Sequence, residues 1–218
     1  MSVTLAARLR AETSALHRQA ESTLFMQQLL GGRLDRSSYC LLLRNLEPLY
    51  SDLEQGLSLH AGDAAVAPVY LPEMFRTRTL QLDLQALYGS TWAQDFDVMP
   101  SVLVYTERLR ELGVSSPALL SAHAYVRYLG DLSGGQMLRD IVVRSLQLAP
   151  PGKGTAFYEF GPPSEVAGLA LALRSGLNEV ARDEAGQEAI VAESKWAFEM
   201  HCRLFDELSQ ACLLRPLQ

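Results

Sequence analysis

Residues 125–140 are predicted to lie in the middle of a long helix, yet this segment contains three glycines. Each glycine in a helix interior costs about 1 kcal/mol relative to alanine, so three together require a reason. Helical spacing places Gly130 and Gly134 on one face, with Gly135 beside them and Asp131 on the same side as Gly135. The pattern predicts a bare strip of backbone, overhung by one carboxylate, that a broad ligand can approach closely.

Three interpretations of this strip compete. In the first, small residues pack against another helix and Asp131 merely pairs with Arg127, one turn earlier. In the second, residues 132–136 spell the signature pentapeptide of ABC-type ATPases, Leu-Ser-Gly-Gly-Gln. Such ATPases also need a phosphate loop after a strand, and residues 151–155 lack its spacing, so we reject this interpretation. In the third, the helix bends over a flat ligand, and a second site has to decide between it and the first.

Composition limits the class of protein. With 218 residues and 48% hydrophobic residues, the chain is expected to form one domain, residues 1–218, with a substantial core. A net charge of −6 argues against a nucleic-acid-binding protein. No signal segment or membrane span is apparent, and three cysteines without metal-binding spacing are typical of a reducing compartment. We therefore expect a cytoplasmic protein that does not bind membranes.

The periodicity of apolar residues indicates an all-α protein. Apolar residues recur at intervals of three and four, and no stretch alternates for long enough to predict a strand. Turn-rich residues 88–97 and an irregular, Pro- and Gly-rich crossing at 149–163 separate the helices. The predicted helices span about 4–30, 35–60, 73–86, 100–112, a long one from about 116, 164–183 and 186–214.

A candidate second site lies on the first helix. A lone histidine such as His17 is usually a surface or capping residue, and Arg10 alone is best explained by solvation. However, Glu21 is four residues after His17, where it can accept a proton from one ring nitrogen and leave the other free for a metal. Arg10 lies on nearly the same stripe, about 10 Å away by helical rise, comparable with the distance from the centre of a porphyrin to its rim carboxylates. This face therefore suits a metal-containing ligand with a distant anionic group.

The surroundings of the four histidines in the sequence exclude a di-iron carboxylate bundle. Such a site needs Glu-x-x-His on two helices. The residues three positions before His17, His60, His123 and His201 are Ser14, Leu57, Leu120 and Phe198. None of them is a glutamate.

Together these segments resemble the haem oxygenase family over nearly the whole chain. Residues 9–21 resemble its proximal helix, with His17 at the iron ligand, and residues 125–138 resemble its distal helix almost letter for letter. Shorter segments that resemble the family lie at 70–76, 83–89, 174–178 and 195–198. The resemblance implies a single-domain, haem-oxygenase-like helical bundle with haem between a proximal helix and a kinked distal helix.

The resemblance also implies a reaction in which haem b is both cofactor and substrate. O2 and electrons from an external reductase or ferredoxin open the ring, giving biliverdin, ferrous iron and carbon monoxide. A neutral histidine ligand lacks the electron push of a thiolate, so O–O cleavage to a ferryl species is not favoured. A bilin-accepting photoreceptor or reductase is a further implied partner. The resemblance is to soluble, bacterial-type members, so we expect no membrane tail of the kind that animal members carry.

Specific residues match the family's site. The implied metal ligand is His17. The implied catalytic residues are Tyr50, Arg127, Gly130, Asp131, Gly134 and Gly135. The implied cofactor-binding residues are Arg10, Glu21, Tyr125, Ser133, Arg174, Phe198, His201 and Phe205. The two phenylalanines have an ordinary alternative role in the core.

Three positions depart from the animal members. Ser14 and Ala170 stand where those carry lysines, so fewer cations are available for the propionates. His201 stands where they have an asparagine in the distal network, and it can alter proton delivery or offer a second ligand. The orientation of the ring in the site is therefore open.

Two functions of other classes remain alternatives. One is a protein that stores, carries or senses haem without degrading it. Asp131 and the three glycines favour the enzyme, because storage does not require oxygen to be tilted toward the ring. The other is a helical enzyme that acts on a different small molecule, and the absence of a Soret band after mixing with haem would favour it.

Overall fold

The structure is a computed structural model that describes residues 3–148, 153–181 and 183–214. Within these ranges the chain is helical and contains no strand, which confirms the all-α prediction. The helices are α1 (Leu5–Glu21), α2 (Leu24–Leu30), α3 (Arg36–Leu59), α4 (Thr77–Leu87), α5 (Trp92–Asp95), α6 (Pro100–Ser115), α7 (Leu120–Ser145), α8 (Pro163–Val180) and α9 (Glu184–Leu214). Single turns of 3-10 helix lie at Ala67–Val69, Pro72–Met74, Pro117–Leu119 and Ala156–Tyr158.

Local chemistry explains where several helices begin. The Thr4 hydroxyl accepts a hydrogen bond from the Ala7 amide at 3.4 Å, and the Asp35 carboxylate accepts one from the Ser38 amide at 2.7 Å. These caps satisfy amides that have no partner within the helix. α6 and α8 instead begin with proline, whose fixed φ suits the first helical position.

The prediction of one helix over residues 4–30 was wrong. Thr23 has an extended backbone, with ψ of 150°, and separates α1 from α2. The Ser22 and Thr23 hydroxyls donate to the Gln19 and Ala20 carbonyls, both at 2.8 Å. Side chains of this kind compete with the backbone for helical hydrogen bonds, so the apolar stripe continues across a break in the helix.

Other predicted boundaries shift by a few residues. The helix predicted over 73–86 is a 3-10 turn followed by α4, which begins at Thr77. The helix predicted over 164–183 ends at Val180, and Arg182 lies outside the described residues. Residues 149–152 of the predicted crossing also lie outside them.

The long helix α9 organises the fold around it. It packs against α1, α2, α6 and α7, while α3 packs against α4, α6 and α7. α8 approaches the turn at Ala67–Val69 so closely that a Cβ on Gly176 would lie 1.8 Å from the Pro68 carbonyl oxygen. α1 and α7 are thus held at fixed positions on two sides of a cavity. Among the described helices, none is both long enough and apolar enough to traverse a bilayer.

Candidate functional site

A cavity of about 1360 Å³ lies between α1, α7, α8 and α9. It is larger than the roughly 300–1,000 Å³ of typical small-molecule sites, so it can hold a large ligand. Much of its wall is apolar, and the aliphatic residues lining it include Met26, Leu29, Leu42, Leu46 and Leu138. Thirteen of the fifteen residues predicted for the site line this cavity: Arg10, His17, Glu21, Tyr125, Arg127, Gly130, Asp131, Ser133, Gly134, Arg174, Phe198, His201 and Phe205. Tyr50 does not line it but donates a hydrogen bond to Asp131, which does. Gly135 also does not line it and is described below.

The wall formed by α1 presents an imidazole. The His17 side chain is 51% exposed, and its Nδ1 lies 3.4 Å from Glu21 Oε2. Phe198 contacts the ring edge-on, with ring centroids 5.8 Å apart. A carboxylate beside Nδ1 fixes the proton there, so Nε2 is the nitrogen available to a metal.

Two arginines converge beside a buried tyrosine at one side of the cavity. The Tyr125 hydroxyl lies 3.0 Å from Thr13 Oγ1, and Thr13 itself donates to the Leu9 carbonyl at 2.7 Å, so Tyr125 is the donor of the first bond. Burial raises the pKa of Tyr125, while Thr13 and the positive charges of Arg10 and Arg174 act in the opposite direction. Both arginines line the cavity, where they are placed to bind an anionic group.

The glycines on α7 do not all face the same way. A Cβ on Gly130 or Gly134 would meet no atom within 4 Å, so both leave bare backbone toward open space in the cavity. The inclusion of Gly135 in this strip was wrong, because a Cβ there would contact the Tyr158 ring at 3.4 Å. α7 runs without a break through all three glycines, and the bend over a ligand stays a prediction.

Behind the glycines lies a hydrogen-bonded network of three side chains. The Tyr50 hydroxyl donates to Asp131 Oδ2 and accepts from Arg127 Nε at 3.0 Å and Nη2 at 2.8 Å. Arg127 Nη2 also lies 3.5 Å from Asp131 Oδ1. The ion pair of Asp131 with Arg127 therefore exists, but the two side chains are only 9% and 13% exposed. It is a buried pair beside a cavity, not a solvated surface pair.

The buried network changes how its members titrate. Burial raises the pKa of the Asp131 carboxyl, although the Arg127 charge and the Tyr50 hydrogen bond oppose this shift. Burial also raises the pKa of Tyr50 well above its ordinary value. A carboxyl with a raised pKa at the edge of a cavity is suited to holding and transferring protons.

His201 and the two phenylalanines complete the wall formed by α9. Arg127 Nη1 lies 2.7 Å from His201 Nε2, and His201 Nδ1 lies 2.7 Å from the Ala197 carbonyl oxygen. Because a guanidinium can only donate, Nε2 accepts and Nδ1 carries the proton. Phe205 stacks on Phe25 with ring planes 2° apart, so Phe205 has both a core contact and a cavity face.

Sequence reasoning missed several residues that line the cavity. Phe157 and Tyr158 come from the irregular segment after α7, which Asp83 holds by accepting hydrogen bonds from the Ala156 and Phe157 amides at 2.9 and 2.8 Å. No periodicity marks such residues. Thr13, in contrast, lies on the same stripe as Arg10 and His17, and its spacing was a usable signal.

The residues present fit haem b better than a free metal ion. Among the described ranges, no group of three or more His, Cys, Asp or Glu residues is placed to hold a metal. One imidazole suffices for an iron whose other ligands come from a porphyrin. The bare backbone at Gly130 and Gly134 leaves room for a flat ring, and Arg10 and Arg174 match its propionates.

Comparisons with known proteins agree with this geometry. A sequence model of the family described as "Heme oxygenase" matches residues 3–207. Heme oxygenase 1 of Nostoc sp. is 39% identical over 208 residues, which cover 95% of this chain and 87% of the relative. Heme oxygenase 2 of Synechocystis sp. is 40% identical over 207 residues, covering 94% and 82%.

Solved structures show the same architecture. Heme oxygenase-1 from Synechocystis in complex with heme has a TM-score of 0.89 at 36% identity, with 97% of this chain and 95% of that chain covered. Heme oxygenase-2 from Synechocystis, in complex with heme and NO, has a TM-score of 0.90 at 39% identity, with 96% and 86% covered. Since the sequence model, the relatives and the fold all span nearly the whole chain, this protein belongs to the haem oxygenase family.

Proposed function

We propose that this chain cleaves haem b to biliverdin, ferrous iron and carbon monoxide, using O2 and electrons from an external reductase or ferredoxin. The observation that carries the proposal is the pairing of one imidazole, His17, with the open glycine strip and the buried Asp131 around a single cavity. Two similar structures are described as complexes with heme. Haem supplies the iron that binds and activates O2, and its ring is the substrate.

Binding and orientation are assigned to α1, α7 and α8. His17 holds the iron through Nε2, and Glu21 keeps the proton on Nδ1. Arg10 and Arg174 pair with the propionates, close to the Tyr125 hydroxyl. Charge-assisted hydrogen bonds of this kind are worth about 1.5–3 kcal/mol each, enough to favour one ring orientation over another.

Proton handling is assigned to the network behind the glycines. The bare backbone at Gly130 and Gly134 allows O2 and the ring to lie against α7. Asp131 then fixes a water beside the oxygen and supplies protons to it, and Tyr50 and Arg127 hold the carboxylate in place. Positioned proton transfer of this kind contributes about 10²–10⁴-fold to a rate.

The charge around the cavity suits an acidic electron donor. The chain as a whole has a net charge of −6, and Arg10 and Arg174 are assigned to the propionates, but Arg18 is also exposed and lines the cavity. This local positive charge attracts anionic partners despite the net charge. A bilin-accepting photoreceptor or reductase is the proposed recipient of the product.

The test separates binding from turnover. Haem added to the protein with a reductant under air should turn from red-brown to green, and chromatography should identify the biliverdin isomer. His17→Ala should lose the native ferric spectrum and turnover, with added imidazole restoring the spectrum, while His60→Ala serves as a control because His60 contacts the Gly113 carbonyl instead. Haem that stays bound and red-brown indicates a carrier, and an unchanged spectrum in His17→Ala places the ligand elsewhere.

A further inference from the structure

We propose that His201 is a positioning residue for haem cleavage: its Nε2 accepts a hydrogen bond from Arg127 and so fixes the guanidinium that holds Tyr50 against Asp131. The inference rests on the proposed function of the cavity. It assigns His201 a role different from that of an iron ligand.

The geometry begins with the guanidinium. Arg127 uses Nη1 to reach His201 Nε2 at 2.7 Å, and uses Nε and Nη2 to reach the Tyr50 hydroxyl at 3.0 and 2.8 Å. These donors belong to one planar fork, so fixing Nη1 also fixes the direction of the other two. Asp131 Oδ2 accepts a hydrogen bond from the Tyr50 hydroxyl, and Asp131 Oδ1 lies 3.5 Å from Arg127 Nη2. The position of the proposed proton-transfer group thus depends on His201 through two contacts.

His201 is itself held in one orientation. Its Nδ1 donates to the Ala197 carbonyl at 2.7 Å, one turn earlier on α9. The Tyr105 ring packs edge-on against it, with centroids 5.3 Å apart and planes at 87°, and Phe205 lies at 6.3 Å. The residue is only 3% exposed. Since Nδ1 is committed to a carbonyl, Nε2 can act only as an acceptor.

The same contacts argue against His201 as a second iron ligand. The lone pair on Nε2 faces Arg127, and ligation would leave a buried guanidinium donor without a partner. The titratable groups that face the imidazole are Arg127, Tyr105 and His123. Burial, and then the charge of Arg127, lowers the pKa of His201 to about 3, so the ring stays neutral near physiological pH.

The first experiment uses the haem-free protein. The chain has four histidines, so long-range ¹H–¹⁵N spectra of histidine-labelled protein should contain four imidazoles, and His201→Gln identifies one of them. We expect His201 as a neutral ring with the proton on Nδ1, unchanged from about pH 5 to 8. A proton on Nε2, or titration within this range, overturns the proposal without any bearing on haem cleavage.

The second experiment compares His201→Leu with His201→Gln. Leucine removes the acceptor, whereas the glutamine amide oxygen can reach a position similar to that of Nε2. We expect the haem spectrum and affinity to be unchanged in both, since His17 is the ligand. Biliverdin formation should fall about tenfold in His201→Leu, the loss of one hydrogen bond to a charged group, and should recover to within about threefold in His201→Gln.

The matched control is His60→Leu, which removes a histidine that contacts the Gly113 carbonyl and does not line the cavity. It should leave the rate unchanged. If His201→Leu and His201→Gln lower the rate of biliverdin formation equally, the ring only fills space and the proposal is refuted. Undiminished rates in both variants also overturn it. If His201→Leu does not fold, the glutamine variant and the imidazole spectra still decide. A wild-type protein that binds haem without cleaving it refutes the proposed function, while the spectra test the contact with Arg127 independently.

Discussion

Replacing Gly134 by alanine should stabilise the haem-free protein and impair the enzyme. Gly134 lies inside α7 with a negative φ, and an added Cβ meets no atom within 4 Å. The substitution therefore gains helix propensity without strain, about 1 kcal/mol. In a chain of this length that corresponds to a rise in Tm of about 2–4 °C.

With haem bound, Gly134→Ala should no longer raise Tm and should lower it instead. The new methyl group projects into the cavity, at a place where the bare backbone allows a ring to lie close to α7. A tenfold loss of haem affinity lowers the stabilisation that haem adds by about 1.4 kcal/mol. We therefore expect the Tm of the haem-loaded variant to fall to or below that of the haem-loaded wild type, with slower biliverdin formation.

Gly168→Ala is the matched control for this experiment. Gly168 lies inside α8, is exposed, and also has no atom within 4 Å of an added Cβ, but it does not line the cavity. It should raise Tm equally with and without haem and leave turnover unchanged. The reasoning is refuted if Gly134→Ala behaves like Gly168→Ala in the presence of haem, because the bare backbone would then serve no ligand.

Three further predictions concern charged groups. Asp131→Ala should leave haem bound with a normal ferric spectrum but form little biliverdin and oxidise added phenols. Asp131→Asn should have a milder effect. A normal yield of biliverdin from Asp131→Ala, measured by absorbance, contradicts the assignment of Asp131. Arg174→Gln should change the ratio of bilin isomers more than it changes haem affinity, and an unchanged ratio on chromatography removes its orienting role. Burial raises the pKa of Asp83 to about 6, so the folded state holds this proton more tightly than the unfolded chain does. The contribution of this proton to stability is complete below about pH 4 and is lost as pH rises through about 6. In denaturant titrations, Asp83→Asn should therefore make the free energy of unfolding depend less on pH between about 4 and 6. The same pH dependence in wild type and variant counts against a raised pKa of Asp83.

Local spacing along single helices was sufficient to predict much of this protein. Helical periodicity alone relates Arg10, His17 and Glu21, because residues three, four and seven apart share a face whatever the helix packs against. The same rule put Gly130 and Gly134 on one face of α7, and the structure finds both at the cavity. The all-α class followed from apolar periodicity for the same reason.

Contacts between distant segments were decided only by the tertiary structure. Gly135 differs from Gly134 because Tyr158, from a segment without periodicity, covers it and leaves its neighbour open. The break at Ser22 and Thr23 is instead local: their hydroxyls donate to carbonyls three residues earlier and leave the apolar stripe intact, so apolar periodicity could not reveal it. The contacts from His201 through Arg127 to Asp131 join α9 to α7. A buried polar group needs a hydrogen-bond partner, and here the partner lies on another helix. Residue spacing along one helix does not encode which residues of another helix pack against it.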